Sequence, residues 1–174
     1  HRRRKQLRTG RLVAAQITLK PDSTLGLPTG STPVGMYNKL GEMCQRGDVD
    51  FSQVKSFNLD EYYPIKRDNE QSYYRFMYEN LFSKINIDLK NTHIPNGETD
   101  NPVLECENYE KMIKDSGGID LQILGIGQNG HIGFNEPDAN LNSCTHLTEL
   151  TDSTIKANSR FFDSYDEVPK KRSE

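Results

Sequence analysis

Three short stretches hold most of the residues that can bind or move charge. The densest is "GIGQNGHIGFNEP", residues 125–137, which carries four glycines together with Asn129, His131, Asn135 and Glu136. An imidazole and a carboxylate so close in a glycine-rich loop suit acid–base chemistry, with the carboxylate setting the tautomer of the ring and supporting its positive form. Gly125, Gly127 and Gly130 formally match a dinucleotide fingerprint. That motif requires a helix opening at its third glycine, and Gly133, Asn135 and Pro137 argue against one. His131 and Glu136 lack the local cysteine or second histidine that a metal site calls for, so neither metal nor organic cofactor is expected. The second stretch, "FNLDEYYP", sets Asp60 beside Glu61. Adjacent residues in extended chain point opposite ways, so the two are not a catalytic pair, and one of them can face a site as a general base. The third, "LPTGSTP", has Gly30 for a tight turn, hydroxyls on Ser31 and Thr32, and Pro33 at a predicted helix start. A strand, a Gly/Ser/Thr turn and a helix N-terminus make an anion pocket, most often for phosphate. No lysine follows the glycine as it would in a Walker loop. Nucleophilic catalysis has little support: there is no G-x-S-x-G elbow, and Cys144 and His146 are neighbours in sequence only. A phosphate pocket, a carboxylate base and an imidazole acid–base suit proton transfer beside the carbonyl of a sugar phosphate.

These groups need a scaffold that brings three loops together. The pattern alternates strand and helix: a helix at "LVAAQITL", a strand at "STLGLP", a helix at "PVGMYNKLGEMCQRG" capped by Thr32 and stopped by Gly47, and a strand at "VKSFNLD". Next come an amphipathic helix with Tyr73, Met77, Leu81 and Ile85 on one stripe, and a short extended piece at "THIPNG". A helix with Val103, Cys106, Tyr109 and Ile113 at helical spacing closes on Gly117 and Gly118. The nearly continuous apolar run "IDLQILGIG" then reads as a central parallel strand buried on both faces. The expectation is a doubly wound α/β fold: a mostly parallel sheet with helices on both faces, Rossmann-like in its three layers. In such sheets ligands sit beyond the carboxyl ends of the strands, where all three stretches fall.

With 174 residues the chain suits one domain. Its mean hydropathy of -0.79 is polar for a compact domain, and with a net charge of -3 general nucleic-acid affinity is not expected. The basic start "HRRRKQLR" reads as a solvated or disordered end over residues 1–11. No apolar run spans a bilayer, so no membrane partner is expected. Cys44, Cys106 and Cys144 are well separated and form no CxxC pair, as in reduced cytoplasmic proteins.

"LGLPTGSTP", "FNLDEYYP", "QSYYRFMYENLF", "GIGQNGHIGFNEP" and "NSRFFD", in this order, closely resemble the glucosamine-6-phosphate deaminase family. The resemblance implies conversion of an amino-sugar phosphate and water to fructose 6-phosphate and ammonia, in amino-sugar catabolism, without a cofactor. It assigns the general base to Asp60, ring opening to His131 with Glu136 in support, and phosphate binding to Gly30, Ser31, Thr32 and Arg160. Some relatives carry Asp where Asn129 stands; Asn supplies no charge to the imidazole, which leaves more of that work to Glu136. Relatives continue beyond "VPKKRSE" through further strands and a lysine-bearing loop, so the C-terminal part is expected to be missing, and uncovered apolar edges would favour a homo-oligomer. "HRRRKQLRTGR" does not look like the family's first strand and helix. A 6-phosphogluconolactonase-like hydrolase and a non-catalytic sugar-phosphate-binding module are the competing readings.

Overall fold

A computed structural model describes residues 2–125, 144–150, 155–156, 158–162 and 164–173. Two sheets organise them. The first is four-stranded, in the order β4-β2-β1-β5, and parallel throughout. Its strands are β1 (Thr24–Leu27), β2 (Lys55–Asn58), β4 (Thr92–His93) and β5 (Leu121–Gln122). The second is antiparallel and ordered β3-β7-β6, with β3 (Glu61–Tyr63), β6 (Leu147–Glu149) and β7 (Lys171–Ser173). The helices α1 (Arg2–Leu19), α2 (Val34–Gln45), α3 (Tyr73–Asn80) and α4 (Pro102–Asp115) accompany them. No described helix is long and apolar enough to cross a membrane.

Strand alternation accounts for the two faces of the parallel sheet. Leu25 and Leu27 point to one side, into a core shared with Val13 and Ile17 of α1, Met36, Tyr37 and Leu40 of α2, and Met77 of α3. Phe57 pairs directly with Gly26 and so lies on the other face. There it stacks on His93, with ring centroids 4.5 Å apart, and meets Tyr109 of α4 edge-on at 5.7 Å. Helices therefore cover both faces, as the alternating pattern predicts.

Local signals account for most of the helix ends. Gly47, Gly117 and Gly118 have φ of 76°, 87° and 85°, the left-handed geometry that suits a helix stop. Ser72 caps α3 by accepting the Arg75 N–H at 3.1 Å, and Asn101 caps α4 by accepting the Leu104 N–H at 3.1 Å. Helix α2 begins one residue later than its sequence suggests, with Pro33 itself at the cap position in place of Thr32.

Three expectations are corrected. The run "IDLQILGIG" is not a central strand buried on both faces: β5 pairs only with β1 among the described residues and ends the four-stranded sheet. With one neighbour it is only half covered, and Leu124 just beyond it is 44% exposed. The basic start is not a disordered arm, because residues from Arg2 onward form the first turns of α1, continuous with the predicted helix. In α4 only Cys106 and Tyr109 of the predicted stripe are buried, since the helix rests on the sheet through that pair, and Val103 is exposed.

Gly97 closes the turn after β4. Its carbonyl accepts the Ile65 N–H at 2.9 Å. A Cβ there would lie 2.7 Å from the Tyr62 carbonyl oxygen and 2.6 Å from Ile65 Cγ2. Backbone and packed side chain cannot both yield, so Gly97→Ala is expected to cost about 1–3 kcal/mol, read as a lowered urea midpoint at unchanged m.

Candidate active site

The rim where β1 and β2 end is tied together by side chains. Leu27 and Asn58 are register partners, and the Asn58 amide donates to the Leu27 carbonyl at 3.0 Å. The Tyr109 hydroxyl lies 2.9 Å from the Asn58 carbonyl and 3.0 Å from that of His93, linking the ends of β2 and β4. Tyr37 of α2 donates to the Pro28 carbonyl at the root of the next loop. The loops leaving β1 and β2 therefore emerge side by side from a fixed edge.

The loop after β1 carries Gly30, Ser31 and Thr32. Gly30 has φ of 90°, which an L side chain rarely adopts, so the turn requires glycine. The following helix starts at Val34 and directs its N-terminus toward this loop. Gln6 of α1 braces it from outside by donating to the Thr32 carbonyl at 2.6 Å. That contact gives the N-terminal part of α1 a role its composition did not reveal.

Asp60 lies one residue before β3 and is 4% exposed. Its Oδ2 accepts from Arg172 Nη1 at 3.0 Å, in a pair buried on both sides. Alternation explains the contact: Asp60 and Tyr62 share a face, and Arg172 is the register partner of Tyr62 in β7. The guanidinium carbon lies 4.5 Å from the Tyr62 ring centroid and 5.5 Å from that of Tyr73. Sequence reading did not single out Arg172, because "KKRSE" offers only a charge run at the end of the chain. One turn of alternation along residues 171–173 is too short to signal burial.

Glu61 takes the opposite side, as adjacent residues in extended chain must. It is buried at the N-terminus of α3, where its carboxylate accepts the N–H groups of Tyr62 at 2.9 Å, Tyr73 at 2.9 Å and Tyr74 at 3.1 Å. Burial pushes its pKa up to about 7, Asp60 adds to the rise, and the three N–H donors oppose it. A cavity of about 390 Å³ opens on this side, lined by Glu61, Arg67, Tyr74, His93, Asn96 and Glu98 among others. Glu61 thus ties β3 to the start of α3, while Asp60 faces Arg172 on the other side.

Asn129, His131 and Glu136 lie outside the described residues. The strand that leads toward them, β5, ends at the same rim, with Gln122 paired to Gly26. Arg160 sits on a single 3-10 turn, Ser159–Phe161, with an exposed side chain. The Cys144 and His146 pair is no nucleophile and base: His146 Nδ1 lies 2.9 Å from the Cys144 carbonyl oxygen, so the ring engages the backbone.

Residues 6–158 match the family model described as glucosamine-6-phosphate isomerases/6-phosphogluconolactonase. The chain belongs to this family. A glucosamine-6-phosphate deaminase of Halothermothrix orenii is 61% identical over 160 residues, which cover 92% of this chain and 66% of that protein. One from Clostridium botulinum, strain Loch Maree, is 56% identical with the same coverage. The chain thus spans just under two thirds of the length of the curated relatives it matches. A solved monomeric glucosamine-6-phosphate deaminase superposes with a TM-score of 0.93 at 40% identity, over 99% of this chain and 72% of that one. The 6-phosphogluconolactonase of Thermotoga maritima shares the fold, with a TM-score of 0.72 at 24% identity over 96% of this chain and 69% of that one.

Proposed function

We propose that this chain acts in the cytoplasm on glucosamine 6-phosphate, isomerising it and releasing ammonia hydrolytically to leave fructose 6-phosphate. The observation that carries the reading is the juxtaposition at the rim: the Gly30–Thr32 turn and the buried Asp60 follow strand ends that are direct register partners. In this reading Gly30, Ser31, Thr32 and Arg160 hold the phosphate, the last through paired N–H donors. His131, with Asn129 and Glu136 nearby in sequence, moves protons as the pyranose opens. The Asp60 carboxylate then takes the proton from the second carbon of the open chain and returns it to the first, and ammonia departs. Three free thiols, Cys44, Cys106 and Cys144, support the cytoplasmic placement.

Family relatives at 56–61% identity are named deaminases, and this favours ammonia release over lactone hydrolysis. The direct test gives the purified chain glucosamine 6-phosphate and, separately, 6-phosphogluconolactone. Ammonia from the first and no accelerated hydrolysis of the second is the expected result. Lactone hydrolysis without ammonia would overturn the proposal.

A further inference from the structure

The loop that leads from β1 to α2 contains two X–Pro bonds, Leu27–Pro28 and Thr32–Pro33. A peptide that ends on proline has a carbonyl but no N–H, so it offers an anion only the negative end of its dipole. Both carbonyls are held by side-chain amides. Asn58 Nδ2 donates to the Leu27 carbonyl at 3.0 Å, and Gln6 Nε2 donates to that of Thr32 at 2.6 Å. Asn58 ends β2, the strand beside the loop, whereas the contact with Gln6 spans 26 positions. We infer that Gln6 is a positioning residue for the phosphate-binding turn, so that α1 helps to set how tightly the substrate's phosphate is held.

The packing of α1 on α2 lets so distant a residue arrive. Gly10 is one helical turn on, on the same face of α1 as Gln6, and is buried. A Cβ there would lie 3.5 Å from Lys39 Cβ and 3.6 Å from the Met36 carbonyl oxygen. The two helices are therefore close enough for the Gln6 side chain to lie on the first turn of α2. Its end rests on Gly35, where an added Cβ would fall 2.2 Å from Gln6 Oε1. The amide so placed offsets the negative end of the Thr32 carbonyl and fixes the peptide plane that joins the turn to α2. Thr32 makes further interactions of its own, so loss of the donor weakens binding without abolishing it. The proposed acid–base steps involve neither Gln6 nor Gly35, and the effect falls on affinity.

Gln6 has this role only if residues 30–32 hold the phosphate, as proposed above. The test uses the full chain and the variants Gln6→Met, Gly35→Ala and the two combined. Gln6→Met keeps the length of the side chain and removes the donor. Gly35→Ala keeps the donor but occupies its place, while alanine in a helix is more stable than glycine. Calorimetric titration with glucosamine 6-phosphate and with inorganic phosphate is read beside kcat, KM and melting temperature. Each single variant is expected to bind both ligands about three- to tenfold more weakly, with KM rising in step and kcat within about twofold. The double variant binds no more weakly than either single one, because both remove the same contact. G35A melts no lower than the parent, which separates lost positioning from lost stability. Folded variants with the parent's affinities would overturn the inference, whatever their kcat. A parent that binds both ligands and releases no ammonia would remove the deaminase reading alone, with the affinities still deciding the role of Gln6. A parent that binds neither would overturn the phosphate turn and the role of Gln6 together. If Q6M does not fold, G35A decides alone.

Discussion

Asp60→Asn is expected to lower kcat for ammonia release by on the order of 10²–10⁴-fold, with little change in KM. Asn keeps the shape of the side chain and removes its capacity to accept a proton. Since the lost interaction belongs to the transition state, the effect falls on kcat. The substitution also leaves Arg172, which is fully buried, facing a neutral amide. Stripping one partner from a buried pair costs about 3–5 kcal/mol. The assay therefore has to be run at a temperature where circular dichroism shows the variant folded. The parent must lose activity in acid, where the carboxylate is protonated. A flat pH–rate profile in both proteins would place the base elsewhere.

The second large effect is on stability. Glu61 accepts two backbone N–H groups at the start of α3 and that of Tyr62 in β3, and its pKa is pushed up from 4.5 to about 7, mainly by burial. The folded state therefore binds this proton more tightly than the unfolded state. The stability it contributes is fully present below pH 4.5 and is lost as pH rises through about 7. At about 1.4 kcal/mol per pH unit the loss is on the order of 3 kcal/mol. The melting temperature of the parent should fall between pH 5 and pH 8. In Glu61→Gln this component disappears, and the protein is less stable at pH 5 by about 1–3 kcal/mol. The reason is that an amide nitrogen cannot accept an N–H bond, whereas a protonated carboxyl oxygen still can. Identical pH dependence of melting in the two proteins would show that Glu61 is not the titrating group.

Much of this fold is legible in short stretches of sequence. Gly47 and the Gly117–Gly118 pair announce helix ends because few other residues tolerate their positive φ. The capping of α3 by Ser72 and of α4 by Asn101 is equally local, each side chain accepting the N–H three residues on, although the cap read from the sequence was Thr32 and the structure sets Pro33 there. Asp60 and Glu61 part company for a reason as local, the period-two alternation of extended chain. The apolar run 119–125 shows where local reading stops. Its composition is that of a strand with neighbours on both sides, and composition does not record whether both are there.

What the sequence alone determined is the alternation of strands and helices as far as β5, the chemistry of the loops between them and, through five motifs, the family; the antiparallel sheet of β3, β7 and β6 was not among its expectations. Each element and each motif depends on residues within a turn or two of one another. What only the tertiary structure decided is which charges meet. The Asp60–Arg172 contact spans 112 positions and the bracing of Thr32 by Gln6 spans 26. Contacts of that range are set by how strands register and pack, and neither partner carries a local signature of the other.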